Sequence, residues 1–151
     1  MNVLIIEDDP QKAERVISAI QSAAPDSRIE LRRSYQSGLK YLESDADVNL
    51  VILDVSLPTF DPDPDVRQGR PRPLGGYEIL RKVRRRKKGF AVVILTALEH
   101  FGSSTHQYSF EQLKEKCTVE FPESFLGAIY YSQSTSTWRD QLADLIRAVW
   151  K

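Results

Sequence analysis

Three apolar runs in this chain end in residues that can handle phosphate and a divalent cation. Glu7, Asp8 and Asp9 follow Val3 to Ile6, Asp54 follows Leu50 to Leu53, and Thr96-Ala97 follow Ala91 to Leu95. A carboxylate is an oxygen nucleophile toward a phosphoryl group, and hard cations such as Mg²⁺ take oxygen ligands, usually one or two carboxylates with water and phosphate. A hydroxyl can meet the phosphoryl oxygens as charge develops on them. If the three runs are neighbouring parallel strands, their C-terminal ends converge on one sheet edge, where open α/β folds bind ligands.

The elements needed to hold such an edge are legible around these residues. Apolar runs of four to six residues alternate with segments of helical period, the pattern of βαβ units and a parallel sheet. Val3 to Ile6 predicts the first strand. Asp9 can cap a helix with Pro10 at its first position, and Ala13, Val16, Ile17 and Ile20 give that helix an inward face. A short strand follows over Ile29 to Leu31 and a helix over Tyr35 to Leu42. Leu50 to Asp54 is apolar almost throughout, as expected of a central strand covered on both faces. A third helix is expected from about Gly76 to Arg86, a fourth strand at Ala91 to Thr96, and a fifth around Ala128 to Tyr131. The last helix starts near Ser136 or Thr137, with Trp138, Leu142, Leu145, Ile146 and Val149 on one face. Two segments exceed this minimal plan. Residues 59–73 are too rich in proline for helix or central strand, and in residues 99–124 only Phe110 to Cys117 reads as helical.

Composition bounds the rest. A chain of 151 residues suits one domain, here residues 1–151 with two loop insertions. Lys plus Arg and Asp plus Glu are each 21, so no global charge draws the chain to nucleic acid or an anionic membrane. The first residues carry no basic segment, and the apolar run there is too short for a signal peptide or a membrane span, so a cytoplasmic protein is expected. The lone Cys117 excludes an intramolecular disulfide and reads as a small buried apolar residue.

Taken in order, the acidic pair, Asp54 and Thr96-Ala97 resemble the receiver domain of two-component response regulators. Asp54-Val-Ser-Leu-Pro58 is similar to the family's Asp-x-x-(Leu/Met)-Pro segment, and Gly76-Tyr-Glu-Ile-Leu80 to the start of its third helix. The resemblance implies a three-layer α/β sandwich, flavodoxin-like, with a five-stranded parallel sheet in the order 2-1-3-4-5. It implies that Asp54 is the phospho-acceptor, and that Glu7, Asp8, Asp54 and the carbonyl of Ser56 hold Mg²⁺. Thr96 would contact the phosphoryl group, Ala97 would leave room for it, and Tyr130 would be the aromatic switch. Such a protein is not an enzyme but a stand-alone phospho-acceptor, capable at most of dephosphorylating itself. Its implied partners are a sensor histidine kinase or phosphotransfer protein and an effector acting in trans, without membrane or nucleic acid. The alternative is a degenerate receiver-like interaction module not controlled by phosphate.

One family residue is missing. The fifth strand should end in a lysine, but Ile129 to Ser134 contains none, and no lysine occurs between Lys116 and Lys151. The proline-rich loop suggests a substitute in Arg67, Arg70 or Arg72, whose guanidinium forks suit phosphate. Other groups read as ordinary structure. Asp61, Asp63 and Asp65 alternate like a calcium loop, but Val66 and Arg72 stand where that loop needs Gly and Glu. The basic run Arg81 to Lys88 closes a helix, where cations complement the dipole. His100 and His106 lack partners at metal spacing, and Gly75-Gly76 lacks the rest of a P-loop. An aspartate-nucleophile hydrolase would need a second Asp where Ser56 stands.

Overall fold

The computed structural model describes residues 1–63, 70–87, 89–102 and 107–150. Its central sheet comprises β1 (Asn2–Ile6), β2 (Arg28–Arg32), β3 (Leu50–Leu53), β4 (Ala91–Thr96) and β7 (Phe125–Tyr130), all parallel, in the order β2-β1-β3-β4-β7. This is the expected 2-1-3-4-5 order, with the last strand displaced in numbering by a small hairpin. Flanking helices are α1 (Pro10–Ala23), α2 (Tyr35–Glu43), α3 (Gly75–Val83), α4 (Phe110–Glu120) and α5 (Thr137–Val149).

Alternation along the strands divides the interior into two cores. Leu4, Ile6, Val51, Leu53, Val92 and Ile94 face one core with α2, α3 and α4. Val3, Ile5, Leu50, Ile52, Val93 and Leu95 face the other with α1 and α5. The central strands are therefore apolar on both faces, and only their ends are left for polar chemistry.

Three expectations on element bounds are corrected. The segment after β4 holds more than a helix: His100–Gly102 (β5) and Gln107–Ser109 (β6) pair antiparallel, and Ser109 then caps α4 in a capping box with Gln112. The last strand starts at Phe125 rather than near 128, because Val92 N–H donates to Ser124 O and carries the ladder back to the start of β4. The third helix stops at Val83, short of 86. Arg86 turns to Glu43 at 2.7 Å and Lys87 donates to Ala46 O at 2.6 Å, so these two residues dock on the end of α2 and the chain just after it.

Candidate functional site

Asp54 is fixed from two sides at the end of β3. Its N–H donates to Ile6 O at 3.1 Å, which ties it to β1, and its own Oδ1 accepts the Val55 N–H at 2.7 Å. The start of α3 closes on the same turn: Gly76 N–H donates to Val55 O at 2.9 Å. A Cβ at position 76 would lie 2.3 Å from Asp54 O, so only glycine lets the helix approach this closely.

Glu7, Asp8 and Asp54 meet there, with one carboxylate oxygen from each within 4.8 Å of the others. Glu7 is buried; its Oε2 accepts the Asp9 N–H at 3.1 Å. Asp8 and Asp54 are half-buried. Three hard oxygen donors, two of them open to solvent, fit an ion such as Mg²⁺ that keeps several waters.

A fourth group lies in the cluster. Lys12 is 4% exposed, and its ammonium lies 2.5 Å from Glu7 Oε1 and 3.2 Å from Asp54 Oδ2. Its remaining donor goes to Leu95 O at 2.7 Å, one residue before Thr96. The ring of Tyr131, just past β7, is centred 5.4 Å away. The lysine reaches this place because of where it sits on α1. Asp9 caps the helix by accepting the Gln11 and Lys12 N–H groups, Pro10 opens it, and Lys12 falls on the stripe that continues through Val16, Ala19 and Ile20. The inward face expected from Ala13, Val16 and Ile20 therefore begins with a cation. The available signal was spacing: a lysine four residues before a buried valine lies on the same face.

The cluster's electrostatics follow from burial. Two carboxylates, Glu7 and Asp54, contact one ammonium. Desolvation, reinforced by the Asp54 charge, pushes the Glu7 carboxyl up to about 8 against the opposing pull of Lys12. Burial, with the same Asp54 charge, also moves Asp8 upward. For Lys12 desolvation works against the charge, but Asp54 and Glu7 outweigh it and hold the ammonium above its ordinary range. In the absence of a divalent cation the lysine is the positive charge that lets these acids share one edge.

The other predicted residues lie nearby or apart as follows. Thr96 ends β4 fully buried, and its Oγ1 accepts the Leu98 N–H at 3.3 Å. Ala97 is exposed and Ser56 half-buried. Tyr130 is 44% exposed on the α4 side, its ring edge-on to Phe110 at 6.3 Å, whereas Tyr131 is buried against Trp138. Arg72 points elsewhere. Arg72 binds Glu78 at 2.9 Å and stacks over Tyr35 at 4.0 Å, Arg70 is exposed, and Arg67 lies outside the described residues, as do Asp65, Val66, Lys88 and His106. His100 is exposed on β5, Gly75-Gly76 open α3, and the Cys117 thiol is buried and pushed up to about 12 by desolvation. Among the described residues no helix is long and apolar enough to cross a membrane.

No protein-family model matches the chain. It is 28% identical over 140 residues to "Uncharacterized protein y4jR" of Sinorhizobium fredii, covering 92% of each. It is 23% identical over 150 residues to the Detocs response regulatory protein DtcB of Enterobacter cloacae, covering 99% of this chain and 98% of that one. Among solved structures, the CheY of a CheX-CheY-BeF3-Mg+2 complex from Borrelia burgdorferi superposes with a TM-score of 0.68 at 18% identity, covering 100% of this chain and 90% of that one. A CheY-like receiver domain from Methanospirillum hungatei gives 0.62 at 17% identity, covering 98% and 92%. With the strand order and the acidic edge already described, these likenesses identify the architecture: the chain has the flavodoxin-like, CheY-like fold of a response regulator receiver domain.

Proposed function

We propose that the protein is a receiver that accepts a phosphoryl group on Asp54 and passes the signal to a partner in trans. The convergence of Glu7, Asp8 and Asp54 at the strand ends beside buried Thr96 carries this reading. In the reaction, Asp54 Oδ2 attacks the phosphorus of a phosphohistidine or small acyl phosphate. A P–O bond to Asp54 forms as the bond to the donor's leaving group breaks, and water later hydrolyses the aspartyl phosphate. The second carboxylate oxygen stays fixed by the Val55 N–H during attack. Thr96 Oγ1, at the end of β4, would donate to a phosphoryl oxygen, and Ala97 would leave room for it. Glu7, Asp8, Asp54 and the Ser56 carbonyl would hold Mg²⁺, which when bound neutralises the incoming charge.

The partners are a histidine kinase or phosphotransfer protein upstream and an effector downstream, in a cytoplasmic setting. The protein signals rather than catalyses turnover of a substrate. On the output side, Tyr130 would report the state of the site through Phe110 and α4. Incubation with Mg²⁺ and acetyl phosphate, followed by intact mass, tests the reading. One phosphoryl adduct that is lost in Asp54→Asn supports it; no adduct on the native chain would leave an interaction module without a phosphate switch.

A further inference from the structure

The cation that pairs with the acceptor comes from an unexpected element, and three observations converge on its role. The first is geometry. The three N–H donors of the Lys12 ammonium match three acceptors, Glu7 Oε1, Asp54 Oδ2 and Leu95 O, so the side chain is held at the nucleophile itself. It is held between the end of β4 and the ring of Tyr131, beside the strand end where the receiver pattern places a lysine and this chain has Ser132 and Gln133.

The second observation is that ordinary helix energetics disfavour a lysine here. Lys12 lies in the first turn of α1, where the helix dipole repels a cation, and it is nearly fully buried, which lysines avoid unless paired. No general advantage to the helix explains it; the acidic cluster does. The third concerns two nearby alternatives that are already engaged. Arg72 is committed to Glu78 and Tyr35, and the Ser132 hydroxyl pairs with Ser134.

We infer that Lys12, delivered by the first turn of α1, replaces the lysine missing from the last strand: it pairs with the Asp54 carboxylate before transfer and with the phosphoryl oxygens afterwards. The inference rests on the phospho-acceptor reading of Asp54. Once Asp54 Oδ2 is esterified it loses its charge, and the ammonium, still anchored by Glu7 and Leu95 O, redirects its third donor to the phosphoryl group. No proton needs to move in that exchange.

The test uses the full chain with saturating Mg²⁺ and acetyl phosphate, comparing the native protein with Lys12→Met, with Lys12→Met/Gln133→Lys, and with Arg72→Ala. A charge-assisted hydrogen bond of this kind corresponds to about 10- to 100-fold in rate, so Lys12→Met should form the adduct that much more slowly. Gln133→Lys should restore part of the loss by returning the ammonium to the last strand, and Arg72→Ala should leave the rate unchanged. Calorimetry then separates two roles for the lysine. If Lys12→Met binds Mg²⁺ more tightly and forms the adduct at least as fast as the native chain, the ammonium is only a resident cation competing for the carboxylates, and the inference is overturned. A native chain that takes up no phosphate overturns the acceptor reading as well, whereas a native adduct with an unaffected Lys12→Met overturns the role of Lys12 alone. A measurement on the unaltered sequence stands if the methionine variant does not fold: the Lys12 Nζ resonance should move on phosphorylation while that of exposed Lys40 stays, and a stationary Lys12 signal would sink the proposal.

Discussion

The first turn of α1 and the loop leaving β3 both run beside Asp54, and they use their charges in opposite ways. The loop begins four residues from Asp54 and carries arginines, yet its described ends are tied to α2 and α3. Pro58 O and Thr59 O accept the Tyr35 and Gln36 N–H groups, Asp61 accepts the Ser37 hydroxyl at 2.6 Å, and Leu57 and Arg72 pair through both backbone bonds. The turn of α1 is separated from Asp54 by 42 residues and delivers its ammonium to within 3.2 Å. Nearness along the chain thus says little about which cation serves the site. What decides is the face of a helix: Lys12 shares the stripe of Val16 and Ile20, whereas Arg72 is engaged by Glu78 and Tyr35.

The largest effect should come from breaking the anchor that both regions share. Gly76→Ala places a methyl 2.3 Å from the backbone carbonyl of Asp54, so α3 or the Asp54 turn must move. Overpacking at such a contact costs about 2 kcal/mol, which for a domain of this size lowers Tm by about 4–8 °C. Thermal unfolding followed by circular dichroism reads it, and a Tm within a degree of the native value would mean the turn yields freely. A smaller loss isolates the α1 side. Asp9→Ala removes the acceptor for the Gln11 and Lys12 N–H groups and should cost about 1 kcal/mol, while Asp9→Asn keeps the cap and most of the stability. Equal losses in the two variants would show that the cap is not what holds the turn.

The same contrast explains how much was legible in the residues. The strands, the capping of α1 and the acidic edge follow from period and from end residues, because a parallel sheet buried on both faces leaves only its strand ends polar, whereas the strand order follows from the family resemblance. Lys12 was missed because a lysine on a helix is read as a solvated residue, and its burial depends on carboxylates that arrive from β1 and β3. Arg72 misled for the complementary reason: it faces Tyr35 and Glu78, partners from α2 and α3 that only the fold brings near. The hairpin of β5 and β6 has strands of three residues, too short to carry a periodic signal.

The smallest effect concerns the loop's own carboxylate, and its pH dependence opposes that of the buried cluster. Partial burial works to raise Asp61, but hydrogen bonds from Ser37 and Ser34 and the charges of Arg33 and Arg32 outweigh it and bring the carboxyl below its ordinary 3.8. A depressed acid stabilises the fold at pH values above its unfolded pKa, and that contribution disappears as pH falls through the lower folded value. Glu7 is displaced the other way, up to about 8, by burial. Asp61→Asn should therefore cost a little stability at pH 7, the same amount at pH 5, and progressively less below about pH 4. Urea unfolding of the two proteins across that range gives the difference directly. A gap that stays constant down to pH 2.5 would mean that the hydrogen bond to Ser37, and not the charge, ties the loop to α2; a gap that closes assigns the tie to the ionised carboxylate.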